Sequence, residues 1–466
     1  MPTFIKELGV AADALRVARA LAERPGLVVL RSGACGALGP SDVRSSFVAC
    51  DPVEVSHDLV PGGALEARGW GGLSAAPRWI GAIPYEAMRG IERRTWTRMP
   101  DDRPEPALVR PTWQRYDAVL RIDHATGTVA IEADHEGAAA RLERMLRRGA
   151  VAPRDFALEL SFDDEDPAEH LARIRAALAY IAQGDIYQVN LARRIAYDFR
   201  GDPFALFASL VNAAPAPYGL FADFGHVAVC ASSPELALEV RGDRLRTCPI
   251  KGTRPRGADA DADGGLAREL DADPKERAEL TMAIDLHRND LGRVAEAGSV
   301  RVLGAPRVVA GRTVWSRVAE IVARRAAGIR DDEIVRAMLP CGSVTGAPKV
   351  RAMEIVATLE PFRRGLYTGA FGYVGRDGAI VLAMAIRTLE ILGRERAHYF
   401  AGGGIVHGSV PERELEETRW KAAQLENLAV PRASEKASIS WPASVAGSSG
   451  GRSRHDEPYR PSSFDD

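Results

Sequence analysis

The chain reads as an α+β protein, with mostly antiparallel sheets and helices packed outside them. Three observations predict this. Runs of alternating apolar and polar residues recur, joined by connections too short for most strand neighbours to be parallel. Helical periodicity stands between groups of strands, at Lys275–Leu291, Asp331–Leu339 and Val350–Leu359. The 466 residues, 46% hydrophobic and 27% charged, suit a globular protein with one large or two ordinary domains.

The same composition excludes several classes. A formal net charge of -2 leaves no electrostatic footprint for nucleic acid. The longest apolar run, Ala379 to Ile386, is too short for a membrane span and reads as a buried strand. Lys6, Glu7 and Asp13 interrupt the apolar residues of the N-terminus, so no signal peptide is expected. Five cysteines without CxxC spacing fit reduced thiols in a cytoplasmic protein and argue against zinc.

Along the chain, residues 1–150 read as a first region of mixed strands and helices. Residues 150–166 read as a linker, basic and proline-stopped at its start and acidic at Asp163–Asp166. Pro167 then opens a helix with Leu171, Ile174, Leu178 and Ile181 on one face and Asp166 as N-cap. The second region, 167–430, continues with strands at Ile195–Phe199, Gly219–Val229, Leu236–Val240 and Leu245–Pro249. After the helices named above come strands near Ala370–Val374, Ile380–Leu392 and His398–Val406, then a helix from about Pro411. From Arg432 to Asp466 the chain is rich in Ser, Arg and Gly without apolar periodicity, and reads as a disordered tail.

Lys251 stands out in Pro249-Ile250-Lys251-Gly252-Thr253, just after a strand. Partial burial there would lower its pKa and leave some neutral amine, a nucleophile. Taken alone, the segment reads as a surface lysine at a strand end. Glu235, at the start of a strand, would have a raised pKa if buried and could act as a general acid. Glu276 and Glu279 share a helix face, and Glu414 and Glu417 repeat the spacing with Lys421 following. Two such helices could hold Mg²⁺ between them. Each pair alone reads as an ordinary helix-surface feature. Gly342–Lys349 is a small-residue loop before a helix, whose backbone N–H groups, with Ser343 and Thr345, could receive a carboxylate; it lacks the spacing of a nucleotide loop. The polar stretch Asp285–Arg293, His287 included, reads as structural.

Taken in order, these segments resemble the chorismate-utilising enzymes: anthranilate synthase component I, aminodeoxychorismate synthase component I, isochorismate synthase and salicylate synthase. The matching stretches are Gly184–Leu191, Ser233–Glu235, the Lys251 segment, Asp273–Val294, Cys341–Ile355 and Ala401–Ala422. The resemblance implies the anthranilate synthase component I-like chorismate-binding fold. In the isochorismate and salicylate enzymes a water-activating lysine stands where this chain has Gln188, so water addition is disfavoured. Anthranilate synthases usually carry alanine where Lys251 stands, and lysine there resembles the aminodeoxychorismate synthases of the folate pathway.

The implied reaction is amination of chorismate to 4-amino-4-deoxychorismate, the precursor of 4-aminobenzoate. Lys251 would attack the ring and Glu235 would protonate the leaving hydroxyl. Mg²⁺ would lie nearest Glu279 and Glu417, with Glu276 and Glu414 supporting through water. Gln188, Thr345, Tyr367, Arg387, Gly404 and Lys421 would line the chorismate site. No glutaminase motif is present in the sequence, so ammonia is expected from a separate class I glutamine amidotransferase subunit. Anthranilate synthase component I, and an inactive scaffold homologue, are the alternatives. The family's usual histidine is replaced by Ser316. Arg31-Ser32-Gly33 and Pro215–Tyr218 resemble parts of a tryptophan pocket found in relatives.

Overall fold

Alternation with a period of two builds the centre of the molecule. In the strand Tyr218–Asp223, Leu220 and Ala222 enter one apolar core and Phe221 the opposite one. The next strand, Val227–Ser233, does the same with Val229 and Ala231 against Cys230. These strands are therefore buried on both faces, and the protein is layered around them. The computed structural model describes residues 4–10, 13–32, 45–62, 75–88, 101–147, 152, 154–161, 166–426 and 428. The C-terminal stretch read as a tail lies outside them, as do Gly33 and Cys35.

Two large sheets pack face to face. The first has twelve strands, running from Phe4–Val10 at one edge through Val28–Arg31, Tyr218–Asp223, Val227–Ser233 and Thr388–Leu392 to the long pair Arg396–Val406 and Gln188–Gly201. The second has nine, with Leu236–Arg241, Ile380–Met384, Ala370–Gly375 and Pro77–Ile83 adjacent near its middle. Val28, Phe47, Leu220 and Val229 of the first meet Ile80, Phe371 and Ala383 of the second. Helices Ala14–Arg19, Glu136–Arg147 and Pro203–Ala213 pack on the outer face of the first sheet. Helices Pro274–Gly292 and Asp331–Met338 pack on that of the second. The expected α+β architecture holds, and every pairing described is antiparallel, the longest being Gln188–Asp198 against Arg396–Val406. No described helix is long and apolar enough to cross a membrane.

Three sequence readings change. Both large sheets take strands from either side of residues 150–166, so the regions 1–150 and 167–430 share one core. The supposed linker itself carries the strand Phe156–Leu160, because Leu158 is fully buried and the run pairs with Gly201–Tyr197. Gly219–Val229 and Ile380–Leu392 are each two strands rather than one. The first is broken by a turn at Phe224–His226, with Gly225 at φ +86. The second is broken at Arg387, which has φ +52 and passes the chain from one sheet to the other. A small third sheet, Ile250–Pro255 with Val314–Val318 and Arg307–Ala310, was not foreseen.

Candidate active site

Lys251 lies in that third sheet rather than at a strand's end. The pairing slips between Lys251, opposite Arg317, and Thr253, opposite Ser316. The slip falls on Gly252, whose φ is +72. A Cβ there would sit 2.9 Å from Glu276 Oε2, so the glycine lets the start of helix 274–292 close over the strand. The Lys251 Nζ donates to the Ser343 carbonyl at 3.0 Å. The Ser343 hydroxyl donates to Glu235 Oε1 at 2.8 Å. One residue of the small-residue turn Gly342–Val344 thus holds both groups. Glu235 is buried, and burial raises its carboxyl to about 7 against the pull of Ser343 and the Lys251 charge.

Two helix starts bring the four glutamates to the same place. Asp273 caps helix 274–292 by accepting from Lys275 N and Glu276 N, with Pro274 at its first position. Glu414 and Glu417 come from helix Pro411–Glu426, which packs on the 396–406 strand. Lys275 links the two helices, 3.7 Å from Glu279 and 3.5 Å from Glu414. Glu276 is raised above its ordinary range by burial and then by Glu279. Glu279 is raised by burial, with Glu417 and Glu414 adding to it and Lys251 and Lys275 opposing. Glu417 goes the other way: burial would raise it, but Lys421 at 2.7 Å outweighs that. Four carboxylates thus share a partly buried site with Lys251, Lys275, Lys421 and Arg254. Among the described residues, no three acids, histidines or cysteines already stand in a closed coordination geometry.

The wall of the site is the 188–201 strand against the glycine run 402–404. Gln188 is buried and its Nε2 has no hydrogen-bond partner among the described residues. A Cβ at Gly404 would lie 2.5 Å from that nitrogen. Gly404→Ala is accordingly expected to push Gln188 aside, raising KM for the substrate about tenfold and costing about 1–3 kcal/mol of stability. Steady-state kinetics and thermal unfolding check this. Thr345 is buried and its hydroxyl donates to the Cys341 carbonyl at 2.9 Å. Tyr367 stacks on Phe400 with centroids 5.3 Å apart. Lys421 also donates to the Gly402 carbonyl at 2.7 Å. Arg387 is half-buried, and its guanidinium has no hydrogen-bond or ion-pair partner among the described residues. Burial lowers its pKa, which Tyr399 partly restores.

The structure thus brings together Lys251, Glu235 and the four glutamates, and sets Gln188, Gly404, Tyr367 and Lys421 along one wall. Some partners were invisible in the sequence. Ser343 is one. His287 is buried, shares a hydrogen bond with Thr247 at 2.9 Å, and is pushed down to about 3 by burial. Asp290 pairs with Lys349 at 2.6 Å, tying helix 274–292 to the 342–349 loop. Arg31, Ser32, Pro217 and Tyr218 line a common cavity between the two large sheets, and Lys251 is not among its lining residues.

A family model described as chorismate binding enzyme matches residues 57–427. The chain belongs to the chorismate-binding enzymes. Its similarity to anthranilate synthase component 1 of Thermus thermophilus is 40% identity, over 74% of this chain and 76% of that protein. For anthranilate synthase component 1 of Pseudomonas aeruginosa it is 37%, over 73% and 72%. Among solved structures, anthranilate synthase component I of Streptococcus pneumoniae superposes with a TM-score of 0.68 at 28% identity, over 82% of this chain and 92% of that one. The menaquinone-specific isochorismate synthase of Escherichia coli shares the fold, with a TM-score of 0.71 at 21% identity over 92% and 94%. The recognition of the family and its fold from sequence therefore holds. The relatives carry the name given above as the alternative, anthranilate synthase component I.

Proposed function

We propose that this chain aminates chorismate, as the synthase component of a cytoplasmic two-component enzyme whose ammonia comes from a separate class I glutamine amidotransferase. The observation that carries the reading is the meeting of Glu235 and Lys251 on Ser343, beside the four glutamates. Glu235 would give its proton to the C4 hydroxyl, which leaves as water while the nitrogen bonds to the ring. Arg387 and Lys421 would receive the enolpyruvyl carboxylate, with Gln188, Thr345, Tyr367 and Gly404 shaping the space around the ring.

The glutamate cluster fits Mg²⁺: all its donors are carboxylate oxygens, and neighbouring glutamates add to the burial that raises Glu276 and Glu279. Glu279 and Glu417 would hold the ion, with Glu276 and Glu414 behind them through water. Bound there, Mg²⁺ would neutralise the ring carboxylate of chorismate. Mg²⁺ at about tenfold excess over its Kd is expected to add about 1.4 kcal/mol of stability. Thermal unfolding should show a rise in Tm that Glu279→Gln removes; an equal rise in both proteins counts against the cluster.

Two products are open. The relatives' names favour anthranilate, released with pyruvate. Lys251 favours 4-amino-4-deoxychorismate: its amine would bond to C2 as the C4–O bond breaks, and ammonia would then bond at C4 and expel it. Product analysis decides between them, using chorismate, Mg²⁺ and ammonium with and without a 4-amino-4-deoxychorismate lyase. Anthranilate and pyruvate without the lyase establish the first reading; 4-aminobenzoate only with it establishes the second. Untouched chorismate would favour a scaffold role and give weight to Ser316. Lys251→Ala is expected to abolish 4-aminobenzoate formation in the second case and to spare turnover in the first. Inhibition by tryptophan, acting at the Arg31–Tyr218 cavity, would further support the first.

A further inference from the structure

Arg364 is 1% exposed and Glu360 2%, a charged pair enclosed in the protein. A guanidinium offers five N–H donors, and all of them are used. Nε donates to Glu360 Oε2 at 2.9 Å, and Nη2 to Glu360 Oε1 at 2.7 Å and the Asn190 carbonyl at 2.6 Å. Nη1 donates to the Val344 carbonyl at 3.3 Å and the Thr368 hydroxyl at 3.2 Å. Glu360 Oε1 also accepts from Ala192 N at 2.8 Å. The rings of Tyr85 and Tyr367 lie 5.1 and 5.6 Å from the guanidinium carbon.

Stability alone gives weak reason to keep such a pair, since well-packed apolar residues often serve as well. Its partners suggest what it does. Asn190 and Ala192 lie on the strand that carries Gln188. Val344 lies between Ser343, which holds Glu235 and Lys251, and Thr345. Thr368 follows Tyr367. Three segments of the site thus meet on one planar group. The Asn190 N–H bond to the Thr345 carbonyl, at 2.8 Å, adds a second tie between strand and turn.

We propose that Arg364, clamped by Glu360, is a positioning residue that fixes the 342–345 turn against the 188–201 strand and so sets Ser343 on Glu235 and Lys251. This rests on the chorismate-amination reading above. Without the clamp, the turn is free to shift and the Ser343 hydrogen bond to Glu235 weakens. Ser343 draws the Glu235 pKa down. Its withdrawal therefore raises that pKa, and the pH at which the acid loses its proton moves upward.

The test removes both charges together, as Arg364→Met with Glu360→Leu, so that neither is left buried and unpaired. Chorismate consumption is followed at fixed free ammonia, whatever the product. The double variant is expected to stay folded, with kcat about 10²-fold lower, KM changed by less than about threefold, and the alkaline limb of the pH profile above its wild-type position. Arg364→Lys, which keeps the charge but has one nitrogen in place of a fork, is expected not to rescue. A folded double variant with wild-type kcat and an unmoved limb overturns the proposal, as does full activity in Arg364→Lys. If the double variant does not fold, Arg364→Lys supplies the same two readouts. If the wild type leaves chorismate untouched, the amination reading fails. The inference is then read from the Glu235 titration in ligand-free protein, by ¹³C NMR assigned with Glu235→Gln. A raised midpoint in the variant supports it and an unchanged one overturns it.

Discussion

Glu235→Gln is expected to lower kcat for chorismate consumption by about 10²–10⁴-fold, the usual worth of a positioned general acid. Glutamine keeps the shape and the hydrogen bond from Ser343 but has no proton to give a leaving hydroxyl. Folding should survive, because the buried acid is neutral below about 7 and the amide is its neutral near-isostere. The pH dependence supplies an internal check. Burial raises the Glu235 pKa, so the acid keeps its proton below about 7 and loses it above. In the wild type, kcat/KM should therefore fall as pH rises through that value, measured with free ammonia, not total ammonium, held constant. In Glu235→Gln the residual rate should lose this limb. A variant within about fivefold of wild type, or one keeping the same limb, would assign the acid elsewhere.

What the sequence made legible depended on how local the causes were. Helix 274–292 could be placed almost to the residue, because Asp273 and Pro274 signal its start and Leu280, Ile284 and Leu291 its buried face. The glutamate pairs were legible for the same reason: i and i+3 on a helix always share a side. That the two pairs face one another is set by a Lys275–Glu414 contact 139 residues apart in sequence, and only the resemblance to the family carried that. The third sheet escaped because its short strands draw their order from long-range pairing to Val314–Val318 rather than from alternation. The breaks at Phe224–His226 and Arg387 escaped because apolar character continues on both sides of each. Arg364 and Glu360, four apart just beyond the helix Lys349–Leu359, carry no local sign that both are enclosed. Ser343 was read as a receiver of substrate, whereas its hydroxyl and carbonyl are already engaged by Glu235 and Lys251.

Arg387 is where stability and binding are expected to move in opposite directions. It combines a positive φ, unusual for a long side chain, with a guanidinium that has no partner among the described residues and a pKa lowered by burial. Each feature costs the free protein something, and among the described residues only Tyr399 offsets the last in part. A substrate carboxylate would supply the missing charge. Arg387→Met should therefore raise the KM for chorismate about 10–10²-fold, the range for losing a charge-assisted hydrogen bond of about 1.5–3 kcal/mol. Tm should hold or rise, since the variant removes an uncompensated charge. Arg387→Lys should recover little affinity, because an ammonium cannot meet a carboxylate with two parallel bonds. Direct titration of chorismate, alongside thermal unfolding, separates the effects. Lower Tm with unchanged affinity would make Arg387 a structural residue, and its strained backbone would then need another explanation. Weaker binding with equal or higher Tm would mean that the free protein holds this site open at its own expense and that chorismate completes it.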